Sequence, residues 1–415
     1  MDETPEQKPK VINGQCLWVV TEVYYPEEIS TGYYLTSIAE GLAAEFQVRV
    51  LCGQPNYGSR GVVAAKHEFR NRVEIFRAAS TRLDKNVILY RMVNMLTLGA
   101  SMFLRSLLLF KDGDRVLVVT APPSLPFTTA LAALVKGSGY TLLLHDSYPE
   151  ILVAVGKLRK KSFFAGFVNL FNRWLYKNAS KIIVIGRDMS ELMESKTRGL
   201  DIPIATIPNW ADLETIEPRP RHESQFLRDL GIEDKFVFMY AGNIGHPTDV
   251  ETIIDAARQL DGDDRFQFVF IGSGAKKRWL VNAVSRKLLN NVTILEQRPR
   301  SEQIDFLNGC DIGIISLVPG MWGTAMPSRT YNILAAGKPL LALTDEGSEL
   351  ARVIDEEKVG WHIRPGNPET LVKTICDIFE RRSELGDMGA RAYEAARNKY
   401  SLADAVTRYR EELRT

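Results

Sequence analysis

The segment Met326-Pro-Ser-Arg-Thr-Tyr-Asn-Ile-Leu-Ala-Ala-Gly-Lys-Pro339 places a hydroxyl, a guanidinium and an amide near the start of one expected helix. Ser328 and Arg329 open that helix, Asn332 follows one turn in, and Gly337 ends it. The apolar run Asp311-Ile-Gly-Ile-Ile-Ser316 before it reads as a buried parallel strand, and Pro339-Leu-Leu-Ala-Leu343 opens the next. A helix start at the carboxyl edge of a parallel sheet is an anion site. Arg329 can hold phosphate oxygens there, and Asn332 can hydrogen-bond a sugar hydroxyl. The plainer alternative is a polar helix start capped by Ser328.

Two further segments carry chemistry of the same kind. Gly242-Asn-Ile-Gly245 follows an apolar run, and its glycines let phosphate approach backbone N–H groups; the alternative is a tight strand-to-helix turn. His145 and Asp146 end another apolar strand, at the edge where α/β proteins bind ligands. A strand-end histidine bonded to backbone is the alternative for His145. Ile271-Gly-Ser-Gly-Ala-Lys-Lys277 has the outline of a dinucleotide loop, but Lys277 stands where a third glycine belongs. A nicotinamide-dependent oxidoreductase is therefore the weakest reading.

The elements that position these residues repeat along the chain. Strand candidates Cys16–Thr21, Gln47–Cys52, Arg115–Thr120, Thr141–His145, Lys181–Ile185 and Ile204–Ile207 are mostly separated by helical patterns. After the charged stretch Glu214–Asp229 a second series begins: Phe236–Tyr240, Phe266–Gly272, Val292–Leu295, Ile312–Ser316, Pro339–Leu343 and Gly360–Ile363. Each series suffices for a Rossmann-like, doubly wound domain, and 415 residues suit two such domains facing across a cleft. A net charge of +1 gives no global field for nucleic acid. Cys16, Cys52, Cys310 and Cys376 lack metal-ligand spacing and read as reduced core thiols of a cytosolic protein. The polar opening Met1-Asp-Glu-Thr-Pro-Glu-Gln-Lys-Pro-Lys10 reads as a loose tail without the apolar core of a signal peptide.

Taken with Tyr24-Tyr-Pro-Glu-Glu-Ile-Ser-Thr-Gly32, Leu144-His-Asp-Ser-Tyr-Pro-Glu150 and Ile207-Pro-Asn-Trp-Ala-Asp212, these segments resemble retaining GT-B glycosyltransferases of the family-4 type. The resemblance is to the bacterial surface-polysaccharide branch related to N-acetylfucosamine and colanic-acid transferases, and it runs along most of the chain in the family's order. It implies an acceptor-binding domain over 1–208, a nucleotide-sugar domain over 209–395, and a last helix within 396–415 that crosses back onto the first domain. It also implies a nucleotide-sugar donor, with UDP favoured, a lipid-linked or glycan acceptor, and no cofactor. Within that pattern His145 lies near the reacting sugar, and Asp146 accepts a hydrogen bond from the attacking hydroxyl. Tyr148 and Thr31 line the acceptor side, and Gly32 brings backbone close to the diphosphate. Gly242, Asn243, Gly245, Ser328, Arg329 and Asn332 form the donor grip. Lys276 or Lys277 approaches phosphate, and Arg298 belongs to the loop that holds the base. Relatives carry an Arg and a Lys in the first phosphate loop where this chain has Asn243 and Asp249, so Arg329 is the expected replacement. They also carry paired glutamates, at whose positions this chain has Asn332 and, nearby, Thr324.

No acidic residue occurs from Ile151 to Arg187, and Lys157–Lys177 is basic and aromatic together. Asn86–Phe110 is apolar, carries Arg91 and Arg105, and also lacks acids. This pattern predicts either an interfacial patch against anionic lipid or ordinary buried helices. The leading reading is a transferase of surface-glycan synthesis, cytoplasmic or peripheral at the inner membrane face. A nucleotide-sugar epimerase and a non-catalytic GT-B scaffold are the alternatives.

Overall fold

The computed structural model describes residues 16–55, 63–81, 83 and 88–414. The expected tail at Met1–Lys10, the first two residues of the Asn86–Phe110 run and the side chain of Arg91 lie outside the described residues.

Two sheets carry the molecule. In the first, β1 (Cys16–Val20), β2 (Gln47–Cys52), β3 (His67–Arg70), β4 (Val73–Arg77), β5 (Arg115–Val119), β6 (Gly139–Leu144), β7 (Lys181–Val184) and β8 (Ile204–Thr206) lie in the order β3-β4-β2-β1-β5-β6-β7-β8. All its pairs are parallel except β3 with β4. In the second, β9 (Phe236–Ala241), β10 (Phe266–Ile271), β11 (Val292–Leu295), β12 (Ile312–Ser316), β13 (Leu340–Leu343) and β14 (Gly360–Ile363) run parallel in the order β11-β10-β9-β12-β13-β14. The central strands are continuous apolar runs, as burial under helices on both faces requires. This is the pair of Rossmann-like domains that the alternation of strand and helix predicts. The hairpin β3–β4 was not anticipated: its strands are short, and charged residues interrupt their apolar positions.

Strand order locates the site. In the second sheet the chain turns one way from β9 to β10 and the other way from β9 to β12, so the loops after β9 and β12 flank the switch point. In the first sheet the same reversal lies between β1 and β5. The last helix, Leu402–Arg414, packs on the helix Ser30–Leu42 of the first domain. The approach is close: a Cβ on Gly41 would lie 2.5 Å from Val406 Cγ2. Arg115 donates to the Leu413 carbonyl, and Lys181 pairs with Glu412 at 2.7 Å. Cys16, Cys52 and Cys310 are buried as expected of core thiols, whereas Cys376 is only partly covered.

Candidate functional site

On the first domain, β6 ends at Leu144 and delivers His145 and Asp146 to the carboxyl edge. The neighbouring strand β5 delivers Thr120, whose hydroxyl accepts the N–H of His145 at 3.2 Å and of Asp146 at 3.4 Å. That bond runs from the His145 main chain to a side-chain hydroxyl, not from the imidazole to backbone as the plainer reading has it, and the ring Nε2 is buried with no hydrogen-bond partner. Burial pushes the imidazole down to about 4, so it is neutral at pH 7. Burial also pushes the Asp146 carboxyl up to about 6. The pair therefore offers an imidazole short of one hydrogen bond and a carboxylate of raised basicity. The Tyr148 carbonyl accepts from Asn172 Nδ2 at 2.7 Å and Lys196 Nζ at 3.2 Å, which fixes the turn that follows. Thr31 and Gly32 sit in the first turn of Ser30–Leu42. Gly32 is buried beneath its own loop, where a Cβ would meet the Glu27 carbonyl oxygen at 2.4 Å. That contact alone requires glycine.

On the second domain, the loops after β9 and β10 close on each other. Gly242 N–H donates to the Ile271 carbonyl and Ile244 N–H to the Ser273 carbonyl, both at 2.8 Å. Those two N–H groups, expected to face phosphate, are thus used inside the protein. Gly242 (φ +146°) and Gly272 (φ +153°) occupy backbone that side chains rarely adopt. Arg329 opens the helix Arg329–Ala335 after β12. Its guanidinium lies over the Tyr240 ring, 4.3 Å from the centroid, and against Gly242, where a Cβ would come within 3.1 Å of Cζ and Nη1. Nη1 is buried and has no partner. A cation on an aromatic face with an unused donor at a switch point has the chemistry to receive an anion.

The remaining donor candidates divide. Ser328 occupies the N-cap position without a side-chain capping bond, so the simple capping alternative fails. Asn332 is committed internally: Oδ1 accepts Asp212 N–H at 3.1 Å and Nδ2 donates to Gln303 Oε1 at 2.9 Å. Lys276 is held by the Thr248 carbonyl at 2.7 Å and Glu251 at 2.9 Å, and Lys277 pairs with Glu296 at 2.6 Å. Arg298 pairs with Glu302 at 2.8 Å and lies over Phe226. The Asn243 side chain packs on Gly245 and Gly274. Asp249 explains the missing lysine: it caps the helix Val250–Gln259 through Thr252 N–H at 3.1 Å and also accepts Gly366 N–H at 2.9 Å.

The two edges are joined directly. Ser147 N–H, next to Asp146, donates to the Thr324 carbonyl at 2.9 Å, in the loop between β12 and Arg329. The Asp188 carboxylate accepts Gly323 N–H from the same loop at 3.0 Å, and Ile151 packs with Leu317 and Met321. Asp345 holds that loop from below through the N–H groups of Gly320 and Trp322 at 3.2 and 3.0 Å. Beside it Arg187 binds Glu349 at 2.9 Å and Glu356 at 2.8 Å, and Arg352 binds Glu191 at 2.7 Å. Sequence reasoning missed this clamp, because partners so far apart in the chain leave no spacing to read. It also counted Thr120 as the last residue of a strand, although a hydroxyl at a carboxyl edge was the available signal.

Comparison with known proteins follows the same division of the chain. The family described as Glycosyl transferase 4-like domain matches residues 31–210, and the family described as Glycosyl transferases group 1 matches residues 223–398. A protein described as a probable glycosyltransferase, WbjE of Pseudomonas aeruginosa, is 30% identical over 93% of this chain and 94% of its own. A putative colanic acid biosynthesis glycosyl transferase, WcaI of Escherichia coli K12, is 24% identical over 85% of this chain and 89% of its own. The crystal structure of HepE from Anabaena in complex with UDP-glucose superposes with a TM-score of 0.70 at 14% identity, covering 96% of this chain and 99% of that one. At that identity the likeness is one of fold.

Proposed function

Because the chain belongs to the GT-B group 1 glycosyltransferases with a family-4-like N-terminal domain, we propose that it moves a sugar from a UDP-sugar to a glycan acceptor with retention at the anomeric carbon. The observation that carries this reading is the Arg329 guanidinium at the switch point, with one buried nitrogen awaiting an anion. HepE, solved with UDP-glucose, supports UDP as the nucleotide. The name of WcaI supports a place in bacterial surface-polysaccharide synthesis. Residues 1–208 form the acceptor domain, 209–395 the donor domain and 396–415 the segment returning to the first.

In this reading Arg329, with Ser328 beside it, grips the diphosphate from the second domain. The His145 Nε2 bonds a hydroxyl of the donor sugar. The acceptor oxygen attacks the anomeric carbon from the face that the diphosphate leaves. The bond from that carbon to the phosphate oxygen breaks, and the acceptor proton passes to the departing diphosphate. Asp146 orients the acceptor hydroxyl, and Arg329 neutralises the charge that builds on the leaving group. Thr31 and Tyr148 border the acceptor. Asn332, Lys276 and Arg298 stand nearby in the donor domain, each engaged within the protein.

The location proposed is the cytoplasmic face of a membrane. The helix Ile88–Leu109 contains a window, Met92–Leu109, long and apolar enough by length and composition to cross a bilayer. Leu98 and Met102 on one side of it are buried in the core, while Leu96, Leu104 and Leu108 on the other are exposed. A helix so divided lies on a surface rather than through it. The anomeric proton coupling of the product, read by nuclear magnetic resonance, tests retention. A product of inverted configuration, or a sugar isomerised on the nucleotide without acceptor, sinks the reading.

A further inference from the structure

Among the described residues the chain passes between the two domains twice: once between β8 and β9, and once between the helices Leu385–Lys399 and Leu402–Arg414. The two crossings touch, since Ala211 N–H donates to the Tyr400 carbonyl at 2.8 Å. Rotation of one domain on the other must be absorbed by backbone at such crossings. Three consecutive buried residues of the first crossing each meet a different element. The Trp210 carbonyl accepts the hydroxyl of Tyr34, from the first-domain helix Ser30–Leu42, at 3.0 Å. Ala211 holds the returning segment. Asp212 N–H donates to Asn332 Oδ1 at 3.1 Å, while its carboxylate binds Arg300 Nη2 at 2.9 Å and Nε at 3.1 Å. Arg300 also reaches the first domain, with Cζ 3.5 Å from the centre of the Tyr33 ring.

The helix Arg329–Ala335 joins this junction to the donor site. Its residues Tyr331 and Asn332 touch one crossing each. The Tyr331 ring is fully buried and lies 5.0 Å from the Tyr400 ring, and Asn332 holds Asp212. Arg329, which grips the anion, is the first residue of the same two turns. A helix so short moves as one body, so a shift at Arg329 reaches both crossings. The Asn332 amide has no function left over for a ligand in this arrangement: Oδ1 is spent on Asp212 and Nδ2 on Gln303 Oε1, at 2.9 Å.

We infer that Asn332 is a positioning residue that gears the donor helix to the hinge between the domains. An anion settling on Arg329 fixes the helix, and the helix fixes Asp212. The linker then sets how far the leaving group stands from His145 and Asp146 across the cleft. This rests on the transferase reading above and adds how its two edges are brought into register.

The test uses two substitutions and the wild type. Asn332→Leu removes both amide bonds, whereas Asn332→Asp keeps an acceptor for Asp212 N–H once Gln303 turns its amide to donate. Without nucleotide, hydrogen exchange of the linker peptide containing Trp210–Asp212 should speed up roughly tenfold or more in Asn332→Leu and return towards wild type in Asn332→Asp. In turnover, Asn332→Leu should lower kcat about tenfold or more while UDP affinity and KM for the UDP-sugar stay within about threefold. Asn332→Asp should recover most of that kcat. In wild type, bound UDP should slow exchange of the same peptide. A matching loss of UDP affinity in Asn332→Leu makes the amide a donor ligand and overturns the proposal. So does a folded Asn332→Leu with wild-type kcat or wild-type linker exchange. Linker exchange that bound UDP leaves unchanged in wild type overturns it too, and needs no substitution should the leucine variant not fold. Failure of wild type to bind UDP counts against the transferase reading alone, because the nucleotide-free exchange of the variants is read separately.

Discussion

The Arg329 guanidinium lies 4.3 Å from the centre of the Tyr240 ring and rests on Gly242, with Nη1 buried and unpartnered. Cation–π contact fixes its plane but leaves its in-plane donors for an anion. Arg329→Ala should weaken UDP binding by about 2–4 kcal/mol, and Arg329→Lys should recover only part, since an ammonium cannot make two parallel bonds. Calorimetry with UDP is the check, and unchanged affinity in the alanine variant refutes the assignment.

Loop closure beneath Arg329 brings backbone against backbone. A Cβ on Gly272 would sit 1.9 Å from the Gly242 carbonyl oxygen, so Gly272→Ala must separate the two loops. We expect a loss of roughly 3 kcal/mol or more in stability, with UDP binding impaired in whatever remains folded. Gly262→Ala, with nothing within 4 Å of the new Cβ, should change stability by less than about 0.5 kcal/mol. Thermal unfolding of the two variants side by side decides the point.

Activity should depend on pH through Asp146. Burial holds its carboxyl at about 6, and the ionised form is the one that accepts the acceptor's hydrogen bond. Turnover should therefore rise as pH increases through about 6 and level off above it. His145, pushed down to about 4, stays neutral across that range and adds no limb. Asp146→Asn should lower kcat/KM and flatten the acid limb. A limb that survives in this variant assigns the titration to another group.

The clamp between the domains should be measurable apart from chemistry. Glu349 is buried and receives both the side chain and the backbone N–H of Arg187. Arg187→Ala leaves that carboxylate short of its counter-charge. Because Arg187 is itself partly exposed, the expected cost is moderate, about 1–3 kcal/mol. Small-angle scattering should report a wider spread of domain separations in the variant. An unchanged profile and an unchanged melting midpoint together would show that Ser147–Thr324 and the Ile151 cluster suffice.

The strands were legible in the sequence because buried parallel strands are continuous apolar runs, as in Arg115–Val119 and Phe266–Ile271. Arg329 was legible because a strand, a loop and a helix start fix its place at a sheet edge. Its partners were not, since Tyr240 reads as one more core aromatic until the sheet order brings it under the guanidinium. Asn332 shows what spacing alone does not reveal: its position matches a ligand pattern, and Asp212 and Gln303, distant in sequence, take up its amide. The basic-aromatic stretch Lys157–Lys177 left buried helices and an interfacial patch equally open, and the exposure of Phe163 and Leu170 favours the patch.

In the proposed reaction a sugar passes from a UDP-sugar bound at Arg329 to an acceptor positioned at Asp146. The decisive assay follows UDP release from a panel of UDP-sugars with and without a lipid-linked glycan acceptor. Release should require the acceptor, slow in Asp146→Asn without loss of UDP affinity, and fall with UDP affinity in Arg329→Ala. Release independent of acceptor, or binding of UDP-sugar with neither release nor transfer for any donor and acceptor pair, would contradict it.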